Sequence, residues 1–405
     1  MTETSVPKGG HVRLGAVDGD LRVENNAHIE VDGQLVVAGR ARFAGHAEVG
    51  GNFECGSFHS EDGTVRVHGD LVVREDLSSQ DGAVEVDGQF RAREVDVDRG
   101  LRIAGPARAE TIEVGGVLEG GDALTATTVS VGGRFHLKGL LTARAVEAGG
   151  SIDVGLVELE TLEAGGLVRL QGGSVRRSIE VGGRFVSDGP IEFGSLEVGG
   201  VADLRGEGKG GSVEVGGMFS AQGNLSFSTL HVGGIGTIRG NGRGEKVEVG
   251  GKFEVGGSLE LQGRLEVGGS VSVAAELMAH ELDLGGRLSA RRATFITRAD
   301  IGGSVQTKEG LKAQDLRLRR KARAEGPLVG GTIRLGEKAR AEDLFGTIVE
   351  LGERATARRI FANTVRLSDG AAADEVTYTG SVDLRPGAQV RTPPRRADAL
   401  PPFPL

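Results

Sequence analysis

A Gly-Gly pair returns along the middle of this 405-residue chain at a near-constant spacing. The pairs begin at Gly115, Gly132, Gly149, Gly165, Gly182 and Gly199, then at Gly216, Gly233, Gly250, Gly268, Gly285 and Gly302, at intervals of 16 to 18 residues. Apolar–acidic–apolar triplets precede many of them, as in Ile112-Glu113-Val114, Ile179-Glu180-Val181 and Val247-Glu248-Val249. Self-similarity at a fixed short period is the signature of a solenoid. A repeat of this length is too short for a helix pair, and each glycine inside a helix costs roughly 1 kcal/mol, so the 70 glycines argue against long helices.

Within the repeat that starts at Gly216, apolar residues fall at Phe219 and Ala221, at Leu225 and Phe227, and at Leu230 and Val232. Spacing by two puts both members of a pair on one face of a strand. Each repeat therefore reads as three short strands and three corners, one coil of an all-β, triangular parallel β-helix of about 17 residues per coil. The next coil stacks about 4.8 Å above it through parallel backbone hydrogen bonds. That places Leu196, Val213, Leu230 and Val247 in one interior column, and alternates Phe185, Phe219 and Phe253 with Ala202 and Gly236 in another. The Gly-Gly pair itself reads as a tight corner that needs φ > 0.

The looser spacing of Asp32-Gly33, Gly50-Gly51, His68-Gly69 and Asp87-Gly88 extends the repeat back to His11. Residues 91–105 read as an imperfect coil or bulged corner. Beyond Gly303 the wording changes to Leu335-Gly336-Glu337, Leu351-Gly352-Glu353, Leu367-Ser368-Asp369 and Leu384-Arg385-Pro386, each followed by Ala339, Ala355, Ala371 or Ala388. The expected organisation is a disordered polar tail over 1–10, a continuous β-helix over 11–390 and a disordered, proline-rich tail over 391–405. About 22 coils would make a rod on the order of 100 Å long.

Composition agrees with a slim core. There is no Trp and only one Tyr, where a thick globular core would carry more aromatic bulk. Residues 1–10 hold no apolar run, so neither a signal peptide nor a membrane span is expected there. The single cysteine, Cys55, excludes an internal disulfide and fits a reducing compartment. Cytoplasm is the expected location, with membrane contact left open.

Catalytic and cofactor motifs are weak throughout. Gly206-x-Gly208-x-x-Gly211 matches a dinucleotide string but lacks the strand–turn–helix setting. The eight histidines have no metal-ligand spacing, and His46, His59 and His68 read as surface positions. Glu180, Glu197, Glu214 and Glu248 share one outward position, interrupted by His231, and read as a solvated face. No catalytic, cofactor or metal residue is expected. Charge is uneven: residues 287–366 hold 18 Arg and Lys against 9 Asp and Glu, although the whole chain is at −9. Arg317, Arg319, Arg320, Lys321, Arg323, Arg358 and Arg359 are the candidate polyanion-binding residues within that segment.

Segments such as Val213-Glu214-Val215-Gly216-Gly217-Met218-Phe219, with Gly-x-Leu segments at the same period, resemble the bactofilins, polymer-forming cytoskeletal proteins of bacteria with relatives in archaea. The resemblance covers about residues 11–390. It implies a right-handed β-helix that polymerises end to end without nucleotide and supports cell shape or places partner proteins, among them cytoskeletal, cell-wall or chromosome-positioning ones. Bactofilin cores are usually much shorter, and the short membrane-targeting segment of some members is missing from residues 1–10. Independently, uncapped solenoid ends expose strand edges. Val12, Leu14, Leu21 and Val23 at one end, and Val376, Tyr378, Val382 and Leu384 at the other, are the expected self-assembly surfaces. The competing reading is a non-polymerising β-helix, either a monomeric scaffold or a surface adhesin.

Overall fold

The computed structural model describes residues 2–402, with strands, turns and bends and no helix among them. Packing divides the chain into two units, Met1–Gly200 with Leu204–Gly206, and Val201–Asp203 with Glu207–Leu405. Each is a parallel β-solenoid, and together they hold about 23 coils of about 17 residues.

A representative coil of the first unit runs through Glu94–Val97, Gly100–Ile103 and Ala107–Arg108 before the next begins at Thr111–Val114. Val95 pairs with Ile112, Leu101 with Leu118, and Ala107 with Leu124, each one coil apart. Alternate residues point inward, so Val95, Val97, Leu101 and Ile103 are at most 2% exposed while Asp96 and Arg102 face solvent. Residues 91–105, expected to be irregular, thus form a regular coil. Asp98 and Arg99 occupy the corner that later coils give to Gly-Gly, and the Asp98 carboxylate accepts the Asp81 backbone N–H of the preceding coil at 2.9 Å.

The reason for the paired glycines also differs from expectation. The glycines of positive φ are others, such as Gly33, Gly45 and Gly63 and the out-of-period pair Gly172-Gly173, and none of the periodic Gly-Gly corners from Gly115 to Gly303 is among them. What the corners lack is room. A Cβ on Gly149 would lie 2.7 Å from the carbonyl oxygen of Gly132, one on Gly182 2.7 Å from that of Gly165, and one on Gly183 2.5 Å from that of Gly166. Glycine at one coil lets its counterpart on the next coil settle directly on it, so the pair propagates as two columns. The cause is close backbone approach, the second of glycine's uses.

In the second unit the large–small alternation holds. Phe219 pairs with Gly236 and Gly236 with Phe253, and a Cβ on Gly236 would meet the Phe253 ring at 2.8 Å. After Gly303 the corners become tight turns with a residue at positive φ, Lys321, Lys338 or Arg354. Each is closed by a buried alanine: Ala339 N–H donates to Gly336 O and Ala355 N–H to Gly352 O, both at 3.1 Å. Ala339, Ala355 and Ala371 are 0% exposed, as their register requires.

Both terminal tails are corrected. Glu3–Val6 is a strand paired in parallel with Asp20–Glu24, and Val6 is buried. At the other end Arg395–Arg396 pairs with Thr377 and Tyr378, and Arg391 N–H donates to Ala373 O. Three or four alternating residues suffice to extend a ladder whose template already exists, although they carry no periodic signal alone. Residues 403–405 of the expected tail lie outside the described residues.

Candidate functional surfaces

The eight residues expected at the ends separate into two kinds. Val12 and Leu14 lie in the strand His11–Val17, which pairs with Ala27–Ala44 on one side only among the described residues, and both are half-buried. Leu21 and Val23 are not on an end surface: Thr4 and Val6 pair over them and reduce them to 1% and 0% exposure. At the far end Val376 is 2% exposed and Tyr378 is half-buried, beneath Arg395–Arg396. Val382 and Leu384 pair back to Val365 and Leu367 with no further strand beyond them among the described residues, and Leu384 is 41% exposed. Val12, Leu14, Val382 and Leu384 are therefore the open members of the set.

The basic segment carries its own counter-charges. Asp343 is 5% exposed and takes both Arg358 and Arg359, with Arg358 Nη2 at 2.7 Å from Oδ2 and Arg359 Nε at 2.9 Å from Oδ1. Burial alone would raise the Asp343 carboxyl, but the hydrogen bonds from Arg359 and Arg358 outweigh it and bring it down to about 2. Asp300, 4% exposed, is held by Arg298 at 2.6 Å and Arg319 at 2.7 Å, and Arg319 also reaches Asp283 at 2.9 Å. Here too burial raises the carboxyl and the Arg319 and Arg298 hydrogen bonds prevail, so it lies below its ordinary range. Arg320 pairs with Glu337 at 3.0 Å. Of the seven candidate cations, only Arg317, Lys321 and Arg323 have no ion pair among the described residues.

Outward columns of the first unit follow two different rules. On the strands after the Gly-Gly position, Glu48, Arg66, Glu85, Arg102 and Glu119 are successive register partners, so opposite charges alternate coil by coil. On the strands before it, Glu147, Glu163, Glu180 and Glu197 follow one another without alternation. In the second unit Glu214, His231 and Glu248 share a column, and Glu248 takes Lys246 at 3.1 Å. No group of three or more His, Cys, Asp or Glu is placed to hold a metal ion among the described residues.

Near the start of the first unit, the column of the Glu ladder contains cations instead. Arg22 pairs in register with Arg42, Arg42 with His59 and His59 with Ser78. Arg40 and Ser57 flank them, also in register. These side chains line an open groove of about 650 Å³ whose floor is set by Phe43 and Phe58. Those rings stack at 4.9 Å, and Phe53 meets Phe43 edge-on at 6.1 Å. The coils here are long: successive partners Leu21, Ala41, Phe58, Leu77 and Val95 lie 20, 17, 19 and 18 residues apart. The extra residues sit in corners such as 61–64, where Asp62 and Gly63 take positive φ, and Glu61 at the start of that corner lines the groove.

No family model, curated protein or solved structure matches this chain. The surfaces must therefore be read from their own chemistry.

His46, His59 and His68 do not converge. The His46 Nδ1 accepts the Thr64 backbone N–H, His59 faces Glu61 and Ser78, and His68 faces Asp87. Cys55 is 0% exposed and burial pushes its thiol up to about 12, with Arg74 opposing, which leaves it a core residue. The groove escaped the sequence reading because it contributes no motif. Its signal, two arginines that stand in register on adjacent coils, appears only once the 20-residue coil is known.

Proposed function

We propose that this chain is a self-assembling scaffold that polymerises without nucleotide, the last coil of one copy stacking on the first coil of the next. The observation that carries this reading is the pair of open parallel edges, Glu3–Val6 with residues 11–14 at one end and residues 381–384 with Gln389–Val390 at the other. An edge of unpaired N–H and C=O groups beside half-exposed aliphatic side chains is a template for a further strand. The pairings described are parallel, so a second copy can add by the same geometry, residues 381–384 meeting Glu3–Val6 and Gln389–Val390 meeting residues 11–14. Such a join is head to tail and leaves a free end of each kind, the condition for an open filament. Outward columns would then repeat along the filament as docking faces for partner proteins, a structural rather than a catalytic role.

One observation favours a scaffold that stays monomeric. Residues 391–397 lie over the last coil, where Ala397 N–H donates to Tyr378 O at 2.8 Å and shields part of that end. Negative-stain electron microscopy of the purified chain at physiological salt separates the two. Nucleotide-free filaments that vanish in Leu14→Arg and in Val382→Arg, with unchanged circular dichroism, support the join. Single particles at every concentration would reject polymerisation in favour of the monomeric scaffold, and filaments in both variants would reject these edges.

A further inference from the structure

The groove over Arg22, Arg40 and Arg42 breaks the charge rule that its neighbouring face obeys. On that neighbouring face Arg66 and Arg102 each have an acid in the next coil, Glu85 and Glu119. In the groove the coil after Arg22 brings Arg42, and the coil after Arg42 brings His59. Register partners in adjacent coils stand about 4.8 Å apart along the backbone, close enough for like charges at their side-chain ends to repel. The arrangement is thus unfavourable as it stands, and an anion between the guanidinium groups would reverse its sign.

The groups that face the groove leave that role open. Arg22 is held by Glu24 at 2.9 Å. Two carboxylates line the groove: Glu61 lies 3.1 Å from the His59 ring, and Asp76 takes Arg93 at 2.8 Å. Arg40 donates from Nε to the Ser57 hydroxyl at 3.2 Å and from its backbone N–H to the Asp20 carboxylate at 2.9 Å, and its guanidinium has no carboxylate partner among the described residues. Arg42 has neither a hydrogen-bonded nor an ion-paired side-chain partner among the described residues. Both arginines are exposed. The hydroxyls of Ser57 and Ser78 lie in the same lining, and a guanidinium fork beside a hydroxyl donor matches the geometry of a tetrahedral oxyanion. The groove is open rather than enclosed, so the anion can be the terminal group of a larger molecule.

We propose that this groove is a binding site for a tetrahedral oxyanion, a phosphoryl or sulfate group, held by Arg42 and Arg40 with Arg22 behind them and Ser57 and Ser78 as hydroxyl donors. The site is independent of the end-to-end join, since no residue of the open edges takes part in it.

Isothermal titration of the full-length chain with inorganic phosphate, and in a second arm with phosphoserine, tests the site at constant ionic strength set by chloride. Binding of either probe that weakens about tenfold or more in the Arg40→Gln/Arg42→Gln double variant, and is unchanged in Arg102→Gln, supports it. Preference for phosphoserine identifies the occupant as a phosphate ester, preference for phosphate as the free ion. Absence of binding up to about 10 mM of both probes overturns the proposal, as does equal loss in Arg102→Gln, which would mean diffuse attraction to any cation. Should the double variant misfold, a rise in the melting temperature of the unaltered chain with phosphate but not chloride, abolished by Arg42→Gln alone, replaces the comparison. No such rise overturns the site.

Discussion

The segment 287–366 holds two cations for every acid, whereas the region before it is acidic, yet the groove in which arginines stand in register with each other lies in the acidic region. Residues 287–366 place Asp343 between Arg358 and Arg359, and Asp300 between Arg298 and Arg319. The groove near the first unit's start places Arg42 against Arg22 and His59 instead. Local field follows which side chain stands one coil away, because a contact at 3 Å outweighs a count taken over 80 residues once salt screens anything beyond about 8 Å. A net charge locates neither a free cation nor a ligand.

The strongest way to break this contrast is Asp343→Ala. It removes the one acid between two arginines and should cost about 2 kcal/mol, the charge-assisted hydrogen bonds of a buried carboxylate, since the arginines left behind are about half exposed. Urea unfolding followed by circular dichroism measures the loss, and a shift of less than about 1 kcal/mol would show that the pair contributes little. The same variant should gain phosphate binding at Arg358 and Arg359, giving the C-terminal segment the property that its composition alone implied.

Acid titration probes the same pair without mutation. The folded Asp343 carboxyl lies at about 2, below its ordinary 3.8. Its contribution is therefore complete above the ordinary value and is lost as pH falls towards about 2. The difference corresponds to about 2 kcal/mol. The stability gap between the unaltered chain and Asp343→Asn should narrow over that window, and a gap that is flat from pH 5 to about 2 would contradict the arrangement.

Arg319→Met should cost less, about 1.5 kcal/mol, because Arg298 still holds Asp300. At the bottom of the scale, Arg42→Gln should leave stability within about 0.5 kcal/mol or raise it slightly, because the side chain has no partner to lose and a like-charged neighbour to escape. A clear destabilisation by Arg42→Gln would reveal a hidden counter-charge and remove the contrast between the two regions.

Much of this was legible before any coordinates. Val213, Leu230 and Val247 share a column because their spacing equals the coil, and a carboxylate one period from a guanidinium, as Asp343 is from Arg359, can be found by the same subtraction. The terminal strands were not legible, since Glu3–Val6 has no repeat of its own and gains order only from the template of Asp20–Glu24. Nor was the groove, because coils of 17 to 20 residues destroy the constant period on which register depends.

By itself the sequence determined the period, the three-strand coil and the inward columns, since alternation by two and recurrence near 17 leave few other ways to bury so many Val, Leu and Phe side chains. Tertiary structure alone decided why the corners are glycine, which arginines are neutralised and which edges stay open. Those are questions of what lies one coil away in space: a carbonyl that leaves no room for a Cβ, an acid that meets a cation, a strand that lacks its next neighbour. Stacking distance and register answer them, and neither is a property of any residue alone.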